Sequence, residues 1–344
     1  MLDARMVKRN NKAMLGWIGS PGEKKPSGLP RWFGATGTAS RAIYDRFHGA
    51  GVPAVIYHYT SVAALIPIAT ADELWLSDTT FLNDRAEINH GVAAARLRAA
   101  EDDETDDRVR AMLAEAAGLL ASEPRPPVYV CCFSSEQDDL GQWRGYGRGA
   151  PVAIEFHQWQ LMFGYSQGVF GEVRYDLGEQ AWSFDQLIEA YRTAYRADLD
   201  DPVPPPPRRK EPMTPEEERG LCAGKLHTDL WRYIVTCKDP AFASEREIRF
   251  VYVAYPLDVS WFPGHPVPAF RETAGRIIPY LSSRGLEPAG WESDRQVSSL
   301  PIRSVRIGPT PDQELVARGV RRLLDAVGHA GAEVVLSGSP LRSW

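Results

Sequence analysis

Four short polar clusters in this chain carry side chains able to do chemistry. They are His58-Tyr59-Thr60; Asn83-Asp84 with Glu87; Ser134-Ser135 followed by Trp143 and Tyr146; and Lys238 followed by Glu245-x-Glu247-x-Arg249. An imidazole, hydroxyls and paired carboxylates supply acid–base groups, hydrogen bonds to sugar hydroxyls, and negative charge opposite a developing cation. The same carboxylates, taken with Asp138 and Asp139, are also the ligand type that magnesium prefers. Each cluster has a plainer reading. His58 reads equally as a buried histidine satisfied by one backbone carbonyl, and Asn83 and Asp84 as a helix cap with Glu87 in the first turn. Ser134 and Ser135 read as turn residues, and Trp143 and Tyr146 as a core pair three apart on a helix. Glu245, Glu247 and Arg249 are harder to set aside. Alternation along a strand puts all three on one face, with Ile248, Phe250 and Tyr252 on the other. They then form either an exposed charged edge or the lining of a cleft.

The elements that hold these residues follow from hydrophobic patterning. Val55, Ile56 and Tyr57 read as a strand, followed by a helix over Val62–Ala69 capped by Thr60 and Ser61. ELWLSD, PPVYVCCFS, APVAIEFH, GVFGEVRYD, ASEREIRFVYVAY, VRIGP and AEVVLSGS read as strands. Helices are expected from FLNDRAEINHG to about Arg98, and over DRVRAMLAEAAGLLAS, SFDQLIEAYRTAYRADL, EEERGLCAGKLHTDLWRYIVTCK and DQELVARGVRRLLDAVG, with a helical turn at Gln142–Tyr146. The proline-rich stretch near 200–216 reads as an exposed loop, because proline removes donors and fixes φ. The pattern is α+β, with short strands and helices gathered at the sides. Residues 1–50 read as a partly irregular N-terminal extension that ends in a helical stretch from Ala39, and is either partly disordered or packed on the body through Trp17, Trp32 and Phe33. Residues 51–344 read as a single domain, so truncation before about Val52 is expected to leave the core intact.

The composition bounds the function classes. With 344 residues, 44% hydrophobic and 10% aromatic, the chain has enough apolar surface for a sizeable core. A formal charge of −6 gives no global attraction to nucleic acid or anionic membrane. No apolar run of about 18 residues appears, and the basic N-terminus lacks the apolar stretch of a secretory signal. The four cysteines (Cys131, Cys132, Cys222, Cys237) form no C-x-x-C pair, which suits reduced thiols and a cytoplasmic location.

Taken in order, YHYTS, FLNDRAE, CCFSSEQDDLGQWRGYG and CKDPAFASEREIRF, with the ending IRSVRIGPT and VVLSGSPLRSW, resemble a bacterial domain-of-unknown-function family (twenty-nine seventy-one) from about Val55 to Trp344. The pattern is similar, more distantly, to ADP-ribosyltransferases, which place a His or Arg on the first strand, a Ser or Tyr on the next core strand and a Glu on a later one. That resemblance implies a split β-sheet core with helical insertions, and NAD as the substrate. It places His58, Ser134 and Glu247 in the three positions, with Glu245 addressing the acceptor. Tyr59, Thr60, Asn83, Asp84, Trp143, Tyr146 and Arg249 are then dinucleotide-binding candidates, with Tyr59 or Tyr146 stacking on nicotinamide and Arg249 or Arg144 pairing with the diphosphate. No metal is expected. The acceptor is left open among protein, nucleic acid and water, and a role as toxin or phage-defence effector with a regulatory or antitoxin partner is consistent with such chemistry. Two other classes stay open: a metal-dependent nuclease, with Lys238 steadying a phosphate, and a non-catalytic nucleotide sensor or immunity-type protein.

Overall fold

The structure is a computed structural model. It describes residues 30–47, 53–81, 85–100, 104–122, 125, 127–146, 149–165, 168–202, 214–254, 266–273, 275–286 and 299–339. The chain divides into two compact units, each assembled from three separate stretches of sequence. Unit 1 takes Met1–Gly51, Asp84–Pro126 and Arg174–Pro240, and unit 2 takes Val52–Asn83, Pro127–Val173 and Ala241–Trp344.

Unit 1 is helical, with α1 (Ala35–Phe47), α2 (Arg85–Ala100), α3 (Asp107–Ala121), α4 (Leu177–Asp200) and α5 (Pro215–Ile234). Local signals start these helices. Thr214 and Glu217 form a capping box before Pro215 at the first helical position of α5, and Asp176 caps α4 by accepting from Glu179 N at 2.9 Å. Gly91 lets α2 approach α5 closely, since a Cβ there would lie 2.6 Å from the Ile234 carbonyl oxygen. Residues 30–47, read as part of an extension, are built into this unit. Trp32, Ala35, Ala39 and Ile43 are buried, α1 packs on α4, and Asp198 accepts from the Arg31 and Trp32 backbone N–H groups at 2.6 and 3.2 Å. Trp17 lies outside the described residues. The proline-rich loop is described only at its ends, where α4 stops at Asp200 and α5 begins at Pro215.

Unit 2 carries a large, mostly antiparallel sheet. Its strands are β1 (Val55–Ser61), β2 (Trp75–Asp78), β3 (Val128–Ser134), β4 (Pro151–His157), β5 (Val169–Glu172), β6 (Glu247–Val253), β7 (Ala269–Thr273), β8 (Arg276–Ser282), β9 (Ile302–Ile307) and β10 (Glu333–Leu336). They run in the order β10-β9-β4-β1-β3-β2-β8-β7, with β6 also on β3 and β5 on β6. Among the described strands only β9 and β10 pair in parallel, joined through the helix Gln313–Ala326. The protein is therefore α+β, as the patterning indicates. Ser61 rather than Thr60 caps the helix Val62–Ala71, accepting from Ala64 N at 3.4 Å, while Thr60 stays in β1. The buried apolar residues Ile56, Phe133, Phe156, Phe250 and Val305 tie five strands into one core.

One topological detail positions the site. β6 occupies one edge of β3 over its whole length, and β1 and β2 share the other edge. β1 meets β3 at Tyr57 opposite Ser134, and β2 meets it at Ser77 opposite Val130 and Asp78 opposite Tyr129. Between these pairings the two strands diverge, leaving Cys132 with neither opposite it.

Candidate functional site

A cavity of about 250 Å³ occupies this divergence, within unit 2. Successive residues of β1 (Tyr57 to Thr60) and of β3 (Val130 to Phe133) line it, so it lies along strand edges rather than over one face of the sheet. Six residues singled out from sequence line it together: His58, Tyr59, Thr60, Tyr146, Glu245 and Glu247.

His58 is fixed by the divergence itself. The Cys132 carbonyl, which no strand covers, accepts a hydrogen bond from His58 Nδ1 at 2.8 Å. A carbonyl takes only a donor, so Nδ1 carries a proton. Burial lowers the His58 pKa, which keeps the ring neutral and leaves Nε2 as an acceptor. Nε2 has no hydrogen-bond partner among the described residues. The plain reading of a histidine satisfied by one carbonyl thus holds for one nitrogen, and the other remains available.

The two glutamates differ from the alternating strand expected of them. Glu247 opens β6, but Glu245 ends a 3₁₀ turn (Pro240–Glu245), and Arg246 between them takes a left-handed φ of 44°. Such a conformation costs a non-glycine residue about 1–2 kcal/mol. Two buried side chains brace it, since the Glu245 carbonyl accepts from Ser134 Oγ at 2.8 Å and from Gln142 Nε2 at 3.3 Å. Ser134 is therefore a brace behind the cavity and does not line it, contrary to a role in direct contact with substrate.

Glu247 and Arg249 form a buried pair on one face of β6. Glu247 Oε1 accepts from Arg249 Nε and Oε2 from Nη2, both at 2.8 Å, and the side chains are 6% and 2% exposed. Two matched bonds offset the desolvation of both charges. Arg249, the expected diphosphate partner, is bound to Glu247 and does not line the cavity; Arg144 is exposed and does not line it either. The Tyr59 hydroxyl donates to the Glu136 carbonyl at 2.7 Å and accepts from Asp139 N at 3.0 Å, while its ring meets Trp143 edge-on at 4.7 Å. Burial raises its pKa well above the usual phenol value. Trp143 is core, with Nε1 donating to Asp138 Oδ1 at 2.7 Å. Tyr146 is exposed at the end of the helix Leu140–Tyr146.

Two of the carboxylates considered for a metal, Asp138 and Asp139, are engaged in local hydrogen bonds. Asp138 also accepts from Ser337 Oγ and Gly338 N, and Asp139 caps the helix Leu140–Tyr146 through Gln142 N at 2.8 Å. Among the described residues no three His, Cys, Asp or Glu side chains converge as a metal set. Asn83 and Asp84 lie outside the described residues. Lys238 belongs to unit 1, where its carbonyl accepts from Gln180 Nε2 at 2.8 Å. Cys132 lines the cavity as a protonated thiol: burial, followed by the nearby Glu247 charge, raises its pKa well above the usual value. Among the polar and aromatic lining residues that sequence reasoning missed are Gln142, Trp75, Ser77 and Arg271. Of these, only Gln142 stands inside a motif.

Residues 142–250 match a protein family described as "Protein of unknown function (DUF2971)". The matched stretch includes Trp143, Tyr146, Glu245, Glu247 and Arg249 and does not reach His58, so it is shorter than the Val55–Trp344 resemblance expected. No curated protein and no solved structure matches the chain. Among the described residues no helix is long and apolar enough to cross a membrane. The chain is similar, over the stretch that carries both glutamates of the cavity, to the family of unknown function named above.

Proposed function

We propose that the cavity binds NAD and that unit 2 cleaves its bond between nicotinamide and ribose, transferring ADP-ribose to an acceptor or to water. The observation that carries this reading is the meeting of His58, Glu245 and Glu247 on one cavity where two strands diverge from a shared third. Such a divergence suits the split core of ADP-ribosyltransferases. Cleavage builds positive charge on the ribose, as in glycoside hydrolysis. Glu247 faces that charge, and Arg249 holds its carboxylate in one orientation before reaction. A carboxylate has about four acceptor sites, of which Arg249 takes two. His58 Nε2 accepts from a ribose hydroxyl instead of donating to it. Glu245, turned out of the strand at Arg246, addresses the acceptor. Tyr146 stacks on the nicotinamide from the exposed rim. The volume falls below the usual range of about 300–1,000 Å³ for ligand pockets, so the cavity encloses one end of the dinucleotide.

The commitment of both Glu247 oxygens to Arg249 favours a second reading, a nucleotide-binding protein without turnover. Incubating the purified chain with NAD, nucleic acid and cell extract separates the two, by following nicotinamide release and label transfer. Release that disappears in Glu247→Gln supports cleavage. NAD binding without release supports the sensor, and absence of both rejects the NAD site.

A further inference from the structure

Arg271 is a cation of this cavity with no balancing anion among the described residues. Alternation on three antiparallel strands sets it in place. Ser77 pairs with Tyr280 across β2 and β8, Tyr280 pairs with Ala269 across β8 and β7, and Trp75 and Arg271 lie on the same face two residues from this row, on opposite sides of it. The rings of Trp75 and Tyr280 lie 4.6 Å apart, and the guanidinium carbon sits over them at 5.5 and 5.9 Å. Nη2 donates to Ser77 Oγ at 2.7 Å, while Nε is buried with no hydrogen-bond partner. No carboxylate pairs with Arg271 among the described residues. Burial lowers its pKa, as expected for a charge taken from water without a counter-ion. The contrast with Arg249 is direct: both arginines are near the cavity, one is matched by a bidentate carboxylate, and the other lies over two rings with no carboxylate partner among the described residues.

We infer that Arg271 is the anion-binding residue of the cavity and that the ligand presents a phosphate to it. A guanidinium seated over two rings, with one Nη2 bond to Ser77, keeps its remaining Nη donors for the oxygens of a phosphate. The ligand class is then a phosphate ester whose uncharged polar part reaches His58 and Glu247. Its identification with NAD rests on the function proposed above, whereas the phosphate contact does not.

Isothermal titration of the full-length chain tests this with nicotinamide mononucleotide, nicotinamide riboside, ADP and inorganic pyrophosphate. The wild type should bind the mononucleotide at least about tenfold more tightly than the riboside, the value of one hydrogen-bonded charge. Arg271→Gln should lose that preference with riboside affinity unchanged, and Arg271→Lys, which keeps the charge without the fork, should retain part of it. Melting temperatures of both variants check that the fold survives. If the nicotinamide compounds do not bind but ADP or pyrophosphate binds in an Arg271-dependent manner, the NAD reading fails and the phosphate site stands. Equal affinity for mononucleotide and riboside, or phosphate binding unchanged in both variants, overturns the inference even if nicotinamide release is observed.

Discussion

Glu247→Gln should damage the fold as well as any chemistry, and the structure sets the size of the effect. The substitution keeps shape but removes the charge opposite a guanidinium that is 2% exposed. Removing one partner of a buried ion pair costs about 3–5 kcal/mol, because the other charge is left buried and unmatched. The amide oxygen still accepts one of the two 2.8 Å bonds, which points to the lower end, about 3 kcal/mol. At about 2–4 °C per kcal/mol for a unit of this size, the melting temperature should fall by roughly 6–12 °C. The double variant Glu247→Leu with Arg249→Met removes both charges and should melt within a few degrees of the wild type, since apolar replacement of a buried pair is often neutral. Thermal and urea unfolding of the three proteins decide the matter, with turnover measured well below the lowest transition. A single variant that melts with the wild type, or a double variant as unstable as the single, would refute the view that Arg249 depends on Glu247.

Other expectations follow from neighbouring features. His58→Ala should weaken NAD binding, and freeing the Cys132 carbonyl should lower stability by only about 1 kcal/mol because the cavity admits water; a large loss of stability with binding preserved would make His58 purely structural. Ser134→Ala should cost about 1–2 kcal/mol by unbracing the bend at Arg246 and should impair acceptor transfer more than NAD hydrolysis, which paired transfer and nicotinamide-release assays read. His227, whose pKa burial lowers to about 4, binds protons more readily unfolded than folded. Its contribution is therefore full above about pH 6.5 and falls through pH 4 by up to roughly 3 kcal/mol; His227→Gln should flatten that loss in urea melts across pH. Deleting residues 1–51 should destabilise unit 1, because it removes buried Trp32 and α1; intact unfolding of unit 1 in the truncated chain would show that they are dispensable.

The sheet was largely legible in the sequence because its strands carry apolar residues at alternating or continuous positions, as in VIYHY, VYVCCFS and IRFVYV. The helices of unit 1 announce themselves through caps at Asp106, Asp176 and Thr214. What pattern does not carry is where a regular run breaks. A-S-E-R-E-I-R-F alternates without interruption on paper, yet the left-handed Arg246 removes Glu245 from the strand, and the bracing comes from Ser134 and Gln142 far away in sequence. The division into two units was illegible for a related reason, since each is closed by contacts between distant stretches. Arg271 gave no signal at all. In A-F-R-E-T it is one of two adjacent charged residues on a short exposed strand, and only the pairing of β7 with β8 and of β8 with β2 brings it to Trp75 and His58's cavity.

The register of β4 has a consequence for biosynthesis. β4 ends at His157 and pairs along one side with β1, but its other side is covered only by β9, which begins at Ile302. At about 5–20 residues per second, a ribosome needs roughly 7–30 s to make the intervening chain. Throughout that interval Val152, Ile154 and Phe156 belong to a strand with one bare edge, the form most prone to pair with another nascent copy. Translation speed between these strands, and access of holding chaperones to the β4 edge, should therefore govern soluble yield more than the stability of the finished sheet.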